Sequence, residues 1–147
     1  MTLQELLLAS QAVASSAMCG LIWFVQVVHY PLFARIGGDA SKAFADEHQA
    51  RTGRVVMPFM LVEGLSAAAL AWAPPPGVPR SVAHGGLAIV AMLWLLTAFV
   101  QMPLHGRLSR EGHAPGTVAA LVRSNCLRTV LWSLRAAVAV WMLRVAG

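Results

Sequence analysis

Four long apolar stretches, separated by three short breaks, leave this chain few folds to adopt. They run from about Leu3 to Arg35, Lys42 to Ala73, Ser81 to Arg110 and Gly116 to Val145. A hydrocarbon core of about 30 Å needs about 20 helical residues, and each stretch exceeds that. The breaks are well marked. Gly37-Gly38-Asp39 ends the first stretch, with Asp39 or Ser41 as N-cap of the next. Ala73-Pro74-Pro75-Pro76-Gly77-Val78-Pro79 cannot continue a helix, because proline lacks an N–H and clashes with the preceding turn. Gly112 to Gly116, with Pro115, makes the third turn. Short connections force flanking helices to be antiparallel neighbours. The expected fold is all-α: a single transmembrane domain over residues 1–147, built as an up-down-up-down integral membrane four-helix bundle.

Composition agrees. The chain is 58% hydrophobic and 12% charged, against about 25% charged in an ordinary soluble domain. The first stretch reads as a retained span and not a signal peptide. It carries Glu5, has no basic residue before its apolar run, and runs longer than a signal's apolar core. The +5 net charge is uneven. Arg35, Lys42, Arg51 and Arg54 follow the first span, and Arg107, Arg110, Arg123 and Arg128 surround the last turn. Basic residues collect in short cytoplasmic loops. That places the protein in the cell (inner) membrane, multi-pass, with both termini outside the cytoplasm. The charge flanks apolar spans and forms no separate basic module, so nucleic acid is not an expected partner. The bilayer and its anionic headgroups are. A homodimer would cover polar groups at the midplane. Cys19 and Cys126 fall at different depths, so no disulfide or paired-cysteine metal motif is expected.

Polar residues inside the spans form stripes. Gln26 and His29 share a face of the first helix, and Gln101 and His105 a face of the third. His48, Thr52, Phe59 and Glu63 follow one stripe on the second, and Asn125, Arg128, Trp132 and Arg135 one on the fourth. Lipid penalises such groups, so the stripes should face inward and meet. Depth sorts them into layers. His29, His48 and His105 lie roughly 7 Å from the helix ends at about 1.5 Å per residue, on the cytoplasmic side. Gln26, Thr52, Gln101 and Asn125 lie about one turn deeper. Glu63 and Arg135 share a level near the bilayer centre, where an ion pair is the simplest way to tolerate both. Pro31, Pro58 and Pro103 sit inside helical patterns, where each can kink its helix and free a carbonyl.

The histidine layer has two readings. Three imidazoles leave an open position on zinc, copper or iron, with Gln26, Gln101 and Asn125 orienting the ligands and Glu47 as a further carboxylate. Two of them could instead ligate a heme axially, in an electron carrier. The other reading is a set of histidines hydrogen-bonded at a wet interface. Arg128 with Asn125 suits an anionic or carbonyl-bearing ligand, because the guanidinium offers forked donors. Glu63 and Arg135 read as a structural pair that fixes register, or as a relay. Trp23, Trp94 and Trp132 read as core or pocket wall, Trp72 and Trp141 as an interfacial belt. Met57, Met60, Met92 and Met102 read as core filler, and His84 and His113 as solvated.

Three short motifs carry a resemblance. His29-Tyr30-Pro31 resembles the histidine-proline pair of a family of small four-helix membrane proteins whose best-known members are the anthrone oxygenases. Pro103-Leu104-His105-Gly106-Arg107-Leu108 is similar to that family's Pro-x-Asn-x-x-Leu frame, with His105 in the asparagine's place. Asn125 and Arg128 match its Asn-x-x-Arg pair. The resemblance implies an oxygenase-like or otherwise oxidative membrane enzyme, with His29, Asn125 and Arg128 as the matching positions.

The sequence therefore predicts a small, metal-dependent membrane oxidoreductase acting on a lipophilic molecule at the cytoplasmic mouth of the bundle. His29, His48 and His105 would bind copper, iron or zinc, or act as acid/base groups. Gln26, Gln101 and Asn125 would position substrate, and Arg128 would stabilise negative charge. The alternatives are a non-catalytic subunit or small transporter resting on Glu63–Arg135, and a heme-binding electron carrier.

Overall fold

The structure, a computed structural model, describes residues 1–38 and 40–146. Four helices account for most of it: α1 (Leu3–Phe33), α2 (Ala40–Trp72), α3 (Arg80–Glu111) and α4 (Pro115–Ala146). All four are long and apolar enough to cross a membrane. The described residues contain no strand. The start of α1 is fixed by a reciprocal cap: Glu5 N–H donates to Thr2 Oγ1 at 3.2 Å and Thr2 N–H to Glu5 Oε2 at 2.9 Å. Asp39, one of the two expected caps of α2, lies outside the described residues. Ser41, the other, sits inside the first turn of α2, where its hydroxyl donates to Gly38 O.

Side-chain pairs show how the helices run. Ser15 of α1 meets Glu63 of α2, and His29 meets His48. Gln26 meets Asn125 of α4, and Gln11 meets Arg135. Residue numbers thus rise along α1 as they fall along both partners. Three apolar clusters stack through the bundle. Tyr30, Phe33, Leu108 and Leu121 pack at the histidine end. Met18, Met60, Leu93 and Trp132 pack in the middle, and Leu8, Leu70, Ala83 and Met142 at the far end.

The surface is the inverse of a water-soluble protein's. Phe24, Val27, Leu61, Leu65, Leu95, Phe99, Leu127 and Val130 face outward. Gln11, Ser15, Glu63, Asn125, Thr129 and Arg135 are buried. Soluble monomers rarely expose apolar surface this continuous. The arrangement suggests lipid contact and a small multi-pass membrane protein.

Two of the three helical prolines alter the helix ahead of them. Val25–His29 and Thr97–Gln101 are π turns, closed by Tyr30 N–H to Val25 O and Met102 N–H to Thr97 O. Pro31 and Pro103 follow at once. A proline ring collides with the carbonyl four residues back, and one extra residue in that turn relieves the collision. Pro58 sits in continuous α-helix. A π turn rotates everything after it relative to everything before, and such turns recur at functional sites. Here they carry Gln26, His29 and Gln101.

Turn chemistry closes the ends. A methyl group at Gly77 (φ +83°) would collide with the Val145 carbonyl, and one at Gly112 (φ +81°) would crowd the Ser41 hydroxyl. Neither position has room for a side chain. Both backbones lie in the left-handed region that glycine adopts freely.

Candidate functional site

The residues around the histidines come from all four helices. His29 Nε2 and His48 Nδ1 share a hydrogen bond of 2.8 Å. Thr52 Oγ1 lies 3.1 Å from the same His48 nitrogen. Tyr30 OH bonds His105 Nε2 at 2.9 Å. The His48 and His105 rings are 5.2 Å apart between centroids. Phe33 packs edge-on against His29 and His48 and stacks on His113. His113, expected to be solvated, is half-buried, and its Nδ1 bonds Phe33 O at 3.0 Å. His84 is exposed.

The amide layer lies beneath. Asn125 Nδ2 donates to Gln26 Oε1 at 2.9 Å, and Gln26 Nε2 to Val122 O at 3.3 Å. Arg128 Nη1 donates to Asn125 Oδ1 at 2.8 Å, and its guanidinium lies 5.0 Å from the Trp132 ring centroid. Gln101 Nε2 donates to Ser124 Oγ at 2.8 Å. The fourth-helix stripe Asn125, Arg128, Trp132 and Arg135 is buried throughout.

A cleft of about 250 Å³ opens between α2 and α3 at this level. Val56, Met57, Met60, Met102 and Thr97 make its walls, and Tyr30, His48, Gln101, His105 and Arg128 gather along it. Gly53 adds no side chain to narrow it. Of the four methionines expected to fill the core, Met57 and Met102 are exposed cleft wall, Met92 is exposed, and only Met60 is buried. None of the tryptophans lines the cleft. Trp132 is core, and Trp23 donates to Ser133 Oγ at 3.0 Å.

Buried polar atoms without protein partners include Gln101 Oε1, His105 Nδ1 and Arg128 Nε, all on residues that line this cleft. The three residues are 2%, 8% and 5% exposed. Each unsatisfied buried atom costs about 1–3 kcal/mol.

The His29 ring lies 4.6 Å from His48 between centroids, and His48 lies 5.2 Å from His105. Among the described residues, no group of three or more His, Cys, Asp or Glu side chains is placed to hold a metal ion. His29 and His48 spend one nitrogen each on the other, and His105 spends one on Tyr30. Glu47 instead pairs with Arg51 at the exposed rim. The two cysteines are free.

Deeper in the bundle, Arg135 Nε lies 3.7 Å from Glu63 Oε1, with both side chains 1% exposed. Ser15 Oγ donates to Glu63 Oε1 at 2.6 Å and Trp132 Nε1 to Glu63 Oε2 at 3.2 Å. Arg135 Nη2 donates to Gln11 Oε1. Glu63 does not line the cleft.

Sequence reasoning missed Tyr30, Phe33 and the cleft itself. Tyr30 sits one residue beyond the expected stripe, and the π turn ahead of it changes which face it occupies. Pro31, immediately after it, was the available signal. No family model, curated protein or solved structure matches this chain.

Proposed function

We propose that the chain is an oxygenase-like membrane enzyme that draws a lipophilic substrate from the bilayer into the cleft between α2 and α3. In this reading the helices cross the inner membrane up-down-up-down. The basic, histidine-bearing end faces the cytoplasm, and both termini lie outside it. One observation carries the proposal: Gln101 Oε1, His105 Nδ1 and Arg128 Nε are buried, lack protein partners, and sit on residues lining one apolar cleft. A small fused-ring molecule with an ionisable hydroxyl or enol would set its oxygen among these residues while its apolar body rests on Met57, Met60 and Val56.

The chemistry follows from what the residues can do. His48 or His105 takes a proton from the substrate, and Arg128 stabilises the oxyanion that results. Asn125 holds the guanidinium from one side and Trp132 from another. Tyr30 fixes the His105 ring through its 2.9 Å hydrogen bond. The substrate anion is electron-rich enough to react with dioxygen. For an anthrone, the balanced reaction consumes one dioxygen and yields the anthraquinone and one water. The resemblance of His29-Tyr30-Pro31 and of Asn125 and Arg128 to the anthrone-oxygenase motifs supports the same class.

The test uses purified protein in lipid nanodiscs with anthrone, following oxygen uptake and quinone absorbance. The expected result is saturable turnover that falls on the order of 10²-fold or more in Arg128→Met. No acceleration over empty nanodiscs, or full activity in Arg128→Met, would sink the reading.

The Glu63–Arg135 layer is better read as structural. Glu63 is held by Ser15 and Trp132 and Arg135 by Gln11, on helices α1 and α4, and neither Glu63 nor Arg135 lines the cleft. That arrangement suits a pair that fixes helix register.

A further inference from the structure

We infer that His29 and His48 form a proton relay through α2, carrying the proton released in the cleft to the opposite, water-facing side of that helix. The inference rests on the cleft being the substrate site, and it gives His29 a task that site leaves unexplained. His29 does not line the cleft. It lines two grooves on the α1–α2 side instead, with Phe44, Glu47 and Arg51 at one and Phe24 and Val55 at the other. His48 lines both the cleft and the first of those grooves. One imidazole therefore touches both sides of α2, and the imidazole it hydrogen-bonds, His29, stands on the far side.

The groove is wet at its rim. Glu47 and Arg51 are paired there with side chains 60% and 75% exposed. Exposed charges in hydrocarbon are costly, so this level lies in water or among headgroups. Phe24, Phe33 and Phe44 surround the His29 ring and hold it facing His48, at 4.6 Å between centroids.

The bond pattern suits transfer. His48 Nδ1 is held by His29 Nε2 at 2.8 Å and Thr52 Oγ1 at 3.1 Å. The other nitrogen, Nε2, belongs to a residue that lines the cleft, and in the relay it is the one that meets the ligand. The ligand O–H breaks as an N–H forms at His48 Nε2. The His48 Nδ1–H then breaks as an N–H forms at His29 Nε2, and His29 Nδ1 releases its proton to water. The ligand keeps the electron pair as an oxyanion beside Arg128. No redox partner is needed for this step. Tyr30, His105 and Arg128 are the other titratable groups on the cleft side, and Glu47 and Arg51 those on the groove side. His29 is thus a positioning and relay residue that never touches substrate.

The experiment follows alizarin, a lipophilic dihydroxyanthraquinone that changes colour on ionisation, bound to the full chain in nanodiscs. A stopped-flow pH jump reads how fast the bound dye exchanges its proton. His29→Gln can still accept from the His48 Nδ1–H through its amide oxygen but cannot pass a proton on. The expected result is dye affinity within a few-fold of the parent, with proton exchange slowed by about tenfold or more and restored by added imidazole. Exchange within twofold of the parent, or slowing that imidazole does not restore, overturns the relay and leaves the cleft standing. If the parent does not bind alizarin, or Arg128→Met binds it equally well, the cleft reading falls and the relay with it.

Discussion

Replacing Glu63 by glutamine isolates one charge at the centre of the bundle. The carboxylate is 1% exposed and is the only acid in contact with Arg135 among the described residues. Glutamine can accept from the Trp132 N–H through Oε1 while its Nε2 donates to the Ser15 hydroxyl, so each group keeps a partner. What disappears is the counter-charge, leaving Arg135 buried with only Gln11 as partner. Breaking a buried pair by removing one member costs about 3–5 kcal/mol, because the remaining charge is uncompensated. Set against a typical total stability of about 5–15 kcal/mol, that is a large share. The assay is reversible unfolding in mixed micelles, followed by circular dichroism, on a full double-mutant cycle with Arg135→Met. Glu63→Gln should lose about 3–5 kcal/mol, and the double variant should regain much of it, since no lone charge remains. A Glu63→Gln loss below about 1 kcal/mol, the range of solvated pairs, would refute the reasoning. So would a double variant whose loss equals the sum of the single ones.

Three further expectations are separable from the chemistry of the site. Tyr30→Phe removes the partner of His105 Nε2 in a buried setting and should cost about 1–3 kcal/mol, read in the same unfolding assay; an unchanged midpoint would show that the bond is not made in the bilayer. Gly77→Ala places a methyl group against the Val145 carbonyl at a left-handed φ of +83°, and should destabilise by roughly 1–2 kcal/mol from backbone strain alone, whereas Gly85→Ala, with open space around it, should be neutral or better. Gly37→Cys, in a background with Cys19 and Cys126 replaced by serine, should react with an impermeant maleimide only from the cytoplasmic side; labelling from outside would invert the proposed orientation.

Much of this architecture is legible in the sequence because bilayer constraints are one-dimensional. Apolar length sets the spans, glycine and proline set the breaks, and about 1.5 Å per residue sets depth. That arithmetic brings His29 and His48 to one level and Glu63 and Arg135 to another, where the structure finds each pair in contact. It fails where azimuth matters. A constant 100° step per residue leaves Tyr30 off the Gln26–His29 stripe, yet its hydroxyl bonds His105. The five-residue π turns at Val25–His29 and Thr97–Gln101 break that constant step. The cleft is illegible for a different reason. A gap between α2 and α3 depends on how two helices separate, and Met57 and Met102 look identical on paper whether they fill a core or wall a pocket.

The π turns also explain why the polar layers can differ in role. Below them, α1 and α3 run as ordinary helices, and the Gln11, Ser15, Glu63, Trp132 and Arg135 network closes on itself apart from Arg135 Nε and Nη1. Gly86 lets the arginine fit, because a methyl group there would stand 3.1 Å from Arg135 Nη1. Above them, the same helices are rotated, and the polar side chains no longer saturate one another: Gln101 Oε1, His105 Nδ1 and Arg128 Nε remain open. A bundle held only by its upper layer would bear the cost of those open atoms with nothing to offset it. The lower ion pair supplies a fixed register, and against that register the unpaired atoms of the proposed site can persist. Weakening Glu63–Arg135 should therefore loosen ligand binding in the cleft although no cleft residue has changed. In the Glu63→Gln protein, alizarin affinity should fall in step with the lost stability, whereas an unchanged affinity would mean the two layers are independent.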